Sequence, residues 1–160
     1  MSLKVLGVDP GTAVTGYGIV EPSNGRPGHL IECGIIRTNP KHELWDRLET
    51  LYDGLAELIA RHEPDVMAVE SVFYAKNVRT TVVLGHARGA ILLAGAKAGL
   101  RVAEFAPATV KKTIVGAGGA AKSQVGYMVQ QLLNLKTPPE PADAADGIAV
   151  ALTYLLTGRR

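Results

Sequence analysis

The sequence holds a single cysteine, Cys33, so it forms no internal disulfide and offers no cysteine cluster to zinc or iron. Its four histidines, His29, His42, His62 and His86, fall at no metal-ligating spacing, and no Ser/His/Asp or Cys/His constellation is legible. No stretch stays apolar for the ~20 residues that a membrane span needs. The N-terminal MSLKVLGVD has only a short apolar run before its aspartate, which points to a cytoplasmic protein with no membrane partner. With cysteine and histidine excluded, any metal this chain binds must be held by carboxylates.

A length of 160 residues and a hydrophobic content of 47% suffice for one soluble domain, spanning 1–160, with a substantial core. Charge is distributed unevenly. Residues 1–70 carry 6 Lys/Arg against 11 Asp/Glu and residues 71–160 carry 11 against 4, so −5 and +7 lie behind a net charge of +2. A basic second half suits a polyanionic partner such as nucleic acid, although basic faces also serve solubility. Apolar and β-branched patterning predicts strands at Leu3–Asp9, around Thr15–Ile19 and around Leu30–Ile35, then at Asp65–Glu70 and Arg101–Phe105. Helical spacing predicts helices at Leu44–His62, Thr80–Leu100, Pro107–Val115, Ala121–Leu135 and Ala142–Leu156, with Trp45 facing the core. The order βββαβαβ followed by helices implies an α/β fold with a mixed five-stranded sheet flanked by helices. An antiparallel meander opens it and helix-connected parallel strands follow. Gly85, Ala87, Gly89, Ala90, Ala94 and Gly95 line the Thr80–Leu100 helix with small residues, which suit either packing on the sheet or a seam with a second copy.

Two of the predicted strands end in acids, Asp9 before Pro10-Gly11 and Glu70 after Met67-Ala68-Val69. Ligands collect at the ends of strands in sheets covered by helices, so adjacent strands would bring both carboxylates to one ion. Asp143 and Asp146, three residues apart, open a helix that is otherwise apolar. They either cap the helix and meet its dipole or form the remaining half of a metal site. Four close carboxylates would repel one another and take up protons unless a divalent cation offset them. Oxygen ligands alone select hard ions, hence Mg²⁺ with Mn²⁺ as substitute. Two ions in such a site suit phosphodiester hydrolysis, one acidifying the attacking water and the other stabilising the leaving 3′-oxygen.

Several cationic and aromatic residues surround these acids in sequence. Phe73 and Tyr74, followed by Lys76 and Arg79, suit stacking on unpaired bases beside phosphate contacts, unless Phe73 is buried in the core. Lys111 and Lys112 mark either a solvated helix face or a second phosphate contact. Gly116–Ser123 nearly spells a nucleotide phosphate loop, but Ala121 stands where its last glycine belongs and no clear strand precedes it. It reads instead as a glycine-rich start of a helix, whose amides and Lys122 meet a nucleic-acid phosphate, or as a plain loop.

Five segments together resemble the RuvC family of Holliday-junction resolvases: GVDPGTAVTGYGIV (Gly7–Val20), VESVFYAKN (Val69–Asn77), GHARGA (Gly85–Ala90), VKKTIVGAGGAAKSQV (Val110–Val125) and DAADGIAVALTY (Asp143–Tyr154). The resemblance is colinear over nearly the whole chain. It implies an RNase H-like fold and a homodimer that cuts two symmetric strands of a four-way DNA junction in recombination and repair, with the RuvA and RuvB branch-migration proteins as partners. By position it implies that Asp9, Glu70, Asp143 and Asp146 hold the metal, that Phe73 is the base-stacking aromatic, and that Lys111 and Lys122 contact DNA. Tyr74 beside the stacking aromatic alters how an unpaired base would be held.

Two other classes compete. The Val8–Gly18 pattern of strand, Asp, Gly-Thr and hairpin also opens the phosphate site of actin and sugar-kinase type phosphotransferases, but these need two lobes and one domain supplies one. A protein that only binds junctions would gain nothing from four carboxylates facing phosphates.

Overall fold

The computed structural model describes residues 3–71 and 77–158. Phe73, Tyr74 and Lys76 lie outside them. Among the described residues, five strands and five helices follow in the order β1 (Val5–Asp9), β2 (Val14–Ser23), β3 (Arg26–Arg37), α1 (Leu44–His62), β4 (Val66–Glu70), α2 (Val78–Lys97), β5 (Arg101–Phe105), α3 (Pro107–Val115), α4 (Lys122–Leu132) and α5 (Ala142–Thr157). The sheet order is β3-β2-β1-β4-β5. β1, β2 and β3 form the antiparallel meander, and β4 and β5 run parallel to β1. This is the mixed, helix-flanked sheet expected from the order of elements.

Alternation along the central strands sorts their side chains between two cores. Leu6 and Val8 of β1, with Met67 and Val69 of β4, join α1 and α2 on one face. Val5, Val66 and Ala68 join α3, α4 and α5 on the other. Helix α1 buries Leu51, Leu55, Leu58 and Ile59. Trp45 is 68% exposed, contrary to the core position expected for it. It stands in the first turn, more than a full turn ahead of Leu51, and α1 meets its core only from that residue on.

Helix α2 starts at Val78, two residues before the expected Thr80, because the Asn77 side chain accepts a hydrogen bond from the Thr80 amide (2.8 Å) and caps it there. It also ends earlier than expected, at Lys97, with Gly99 at φ +74° beyond it. Helix α4 starts one residue past Ala121 and stops at Leu132 rather than Leu135, with Asn134 turning at φ +52°.

The small residues of α2 divide between its two sides. Ala87, Ala94 and Gly95 are buried, and a Cβ on Gly95 would sit 2.5 Å from Met67 Cε. Gly85 and Gly89 face open space, in line with exposed Val78, Val82 and Leu93.

Candidate active site

The site begins with strand alternation. Val8 pairs with Val69 in the parallel β1–β4 ladder, so Asp9 and Glu70 are the next pair in register. They share the face of Gly7 and Ala68, which is the face that α5 covers. Pro10 follows Asp9 and cannot extend the ladder, so β1 ends with its carboxyl group at the sheet edge.

Helix α5 reaches these acids because glycines remove the side chains that would hold it away. A Cβ on Gly7 would sit 2.2 Å from the Gly147 carbonyl oxygen, and one on Gly16 only 1.9 Å from that of Asp143. A Cβ on Gly18 would sit 2.8 Å from Ile148 Cα, and one on Gly147 2.4 Å from Tyr17 Cα. The first two turns of α5 therefore lie directly on the backbones of β1 and β2. That places Asp146 over the ends of β1 and β4 and Asp143 one turn earlier.

A cavity of about 210 Å³ opens there. Asp9, Glu70, Lys111, Lys122 and Asp146 give it a polar floor, and Pro107, Val110, Val125 and Ala149 give it apolar walls. Of the residues singled out in the sequence, the structure brings together Asp9, Glu70, Asp146, Lys111 and Lys122. Asp143 stands at the margin, joined to the cavity through Lys122, whose Nζ donates to Asp143 Oδ1 (2.9 Å) and pairs with Asp146 Oδ2 (2.9 Å). Lys112 and Arg79 are exposed and do not line the cavity. The Gly116–Ala121 segment joins two helices, α3 and α4, rather than a strand to a helix, which removes the nucleotide-loop alternative.

The carboxyl groups are in electrostatic conflict. Burial pushes Asp9 up to about 8, and repulsion from Glu70, Asp146 and Asp143 adds to it, while Lys122 works against the rise. Glu70 is pushed up to about 7 by burial and then by Asp146, against the pull of Lys111 and Lys122. Asp146 also lies above its usual range, through burial first, despite its bond to Lys122. The same bonds to Asp143 and Asp146 hold the Lys122 ammonium well above its ordinary value. A divalent cation would resolve this conflict, and the donors are hard carboxylate oxygens of the kind Mg²⁺ and Mn²⁺ take. Among the described residues no three His, Cys, Asp or Glu side chains already stand in metal-holding geometry. The ammonium of Lys122, a stand-in cation, balances the α5 aspartates instead.

Sequence reasoning missed two features. The Lys122 bridge to Asp143 and Asp146 joins residues up to 24 positions apart, and only the packing of α4 on α5 creates it. Arg47 of α1 donates to the Thr12 carbonyl in the turn after Asp9, and its Nε lies 3.4 Å from Thr38 Oγ1. No local pattern signals that tie.

Residues 5–154 match the family profile described as crossover junction endodeoxyribonuclease RuvC. The chain belongs to the RuvC family. A RuvC relative from Halorhodospira halophila is 52% identical over 151 residues, covering 94% of this chain and 89% of its own. One from Pelotomaculum thermopropionicum is 49% identical over 152 residues, covering 95% and 92%. Thermus thermophilus RuvC in complex with Holliday junction substrate superposes with a TM-score of 0.89 at 32% identity, over 96% of this chain and 93% of that one. The RuvC fold is RNase H-like, and the five-stranded mixed sheet with flanking helices agrees with it.

Proposed function

We propose that Asp9, Glu70, Asp143 and Asp146 form the metal centre of a Holliday-junction endonuclease, which hydrolyses two symmetric phosphodiester bonds of a four-way DNA junction in recombination and repair. One observation carries it: in a chain of the RuvC family, three of these acids converge with two lysines in one cavity at the sheet edge. Mg²⁺ is the expected ion, two per site, with Mn²⁺ as substitute. Held there, such ions would acidify the attacking water and offset charge on the phosphate and the leaving 3′-oxygen.

The remaining work falls to the chain's own side chains. Asp9 and Glu70, on adjacent strand ends, fix two rigid carboxylates, and Asp146 closes the site from the helix above. Lys111 sits in the cavity beside the acids and draws a backbone phosphate towards them. Pro107, Val110, Val125 and Ala149 limit water around the reacting group. Phe73 and Tyr74, in the segment that follows β4, stack on bases unpaired at the crossover, while Lys76, Arg79 and Lys112 hold flanking phosphates. The whole chain, 1–160, acts as one nuclease domain in the cytoplasm, and the RuvA and RuvB proteins supply the junction. No described helix is long and apolar enough to cross a membrane.

A junction has two strands to cut, so the enzyme works as a homodimer. The exposed stripe of Val78, Val82, Gly85, Gly89 and Leu93 along α2 supports a seam there, since its glycines let a second helix approach closely. Substitution separates binding from chemistry. Asp146→Asn is expected to shift a synthetic four-way junction as well as the unaltered protein does in chelator. With Mg²⁺ it should cut at least on the order of 100-fold more slowly, the scale of losing a metal-site group. Full cleavage by this variant would remove Asp146 from the site.

A further inference from the structure

Lys122 opens α4 with its ammonium between the two aspartates of α5, 2.9 Å from an oxygen of each. The three side chains differ in freedom. The Asp146 side chain is 13% exposed and that of Asp143 42%, both on a helix seated against glycine backbones, whereas the Lys122 side chain is 61% exposed on a flexible four-carbon stem. Lys111 lines the same cavity but, among the described residues, makes no ion pair, and it acts on Glu70 and Asp146 only through the field.

We propose that the Lys122 ammonium is a built-in counter-ion that competes with the metal for Asp143 and Asp146, so that metal loading and release of Lys122 are one exchange. This rests on the assignment of the four acids as a metal site. The oxygens that accept the ammonium are those a divalent ion would need, and two cations within a few ångströms of each other repel strongly in a partly buried site. The exchange needs little rearrangement: the carboxylates stay where α5 holds them, and one mostly solvated side chain swings away. A DNA phosphate arriving at the cavity is an alternative partner for the freed ammonium. Phosphate binding therefore favours metal binding, and by reciprocity metal favours phosphate. The free protein holds its ions weakly, and the loaded state builds up on DNA.

The test is Mn²⁺ binding to the metal-stripped full chain without DNA, by titration calorimetry and by loss of the free-ion electron paramagnetic resonance signal. Lys122→Met should bind Mn²⁺ roughly tenfold more tightly than the unaltered chain, the scale of freeing two partly buried acceptors. Lys111→Met removes the same charge without freeing an oxygen and should gain only about two- to threefold. Lys122→Arg, whose planar fork grips carboxylates more firmly, should bind Mn²⁺ more weakly than the unaltered chain. Equal gains for Lys122→Met and Lys111→Met would overturn the proposal, leaving a general charge effect and an intact metal site. So would a Lys122→Arg affinity equal to that of the unaltered chain, a comparison that decides the matter even if the Met variant does not fold. Absence of Mn²⁺ binding in every variant would remove the metal centre itself along with the exchange.

Discussion

Asp9 follows four buried residues of β1, and its carboxyl group reaches about 8 through burial first and its acidic neighbours next. That shift has a testable sign. An unfolded Asp9 ionises near its ordinary 3.8 while the folded one keeps its proton, so the stabilisation present below 3.8 is lost as pH rises towards about 8. Glu70 adds to the same loss between 4.5 and about 7. In chelator, the melting temperature of the protein should fall between about pH 5 and about pH 8, and Asp9→Asn should flatten part of that fall. Saturating Mg²⁺ should reverse the trend, because metal takes the ionised form. Identical profiles for both proteins in chelator would contradict a raised Asp9. Lys111 lines the same cavity as these acids. Lys111→Ala should weaken junction binding and lower the slope of log affinity against log salt by about 1, and an unchanged slope would place its ammonium away from phosphate. These residues were legible to different degrees. Asp9 and Glu70 stand out because an acid ending an apolar strand is conspicuous, and Asp143 and Asp146 because they charge a helix that is otherwise apolar. The acceptors of Lys122 were not, since tertiary packing alone brings α4 to α5. Trp45 misled because large aromatics usually bury, and nothing local tells that α1 meets its core only from Leu51 onward.

At the scale of elements, the seating of α5 on β1 and β2 sets the height of the acids above the sheet edge. Gly147→Ala would bring a methyl group to 2.4 Å from Tyr17 Cα, against backbone that cannot yield. The expected loss is about 1–3 kcal/mol of stability, measured by urea unfolding, together with weaker metal binding as Asp146 lifts. Gly126→Ala is the contrasting case. Its added Cβ would meet only Ala145 Cβ, at 4.0 Å, so the variant should be neutral or up to about 1 kcal/mol more stable through helix propensity. Equal effects of the two substitutions would contradict the close seating of α5. The limits of α1, α3 and β5 were legible because apolar periodicity runs up to a strong stop or start, such as Pro64 after α1 and Pro107 at the head of α3. Those of α2 and α4 depend on backbone events with weaker signals, the Asn77 cap and the turn at Asn134. The glycines of β1, β2 and α5 gave no hint of their partners, because a close approach is a property of two segments at once.

For the whole molecule, the order of elements pointed to a mixed α/β sheet and the uneven charge suited a polyanionic partner, while the four acids pointed to a nuclease, and the family match agrees. The use of the small residues on α2 was not legible, since packing and association ask for the same composition. The fold divides them, with Ala87, Ala94 and Gly95 inward and Gly85 and Gly89 outward. Leu93, 54% exposed on the outward stripe, is the residue to charge. Leu93→Arg should weaken self-association on the order of 100-fold by analytical ultracentrifugation, without loss of melting temperature. Its cuts on the two strands should lose their pairing, and unchanged self-association would rule out the proposed seam on α2. Metal-dependent resolution is tested most directly by mapping the cuts in a mobile synthetic four-way DNA junction, each strand labelled in turn, with Mg²⁺ or with chelator. Paired nicks at symmetric positions, present with Mg²⁺ and absent in chelator, are the predicted result. Binding without cutting under every divalent ion would contradict a metal-dependent nuclease and leave the four acids a structural role.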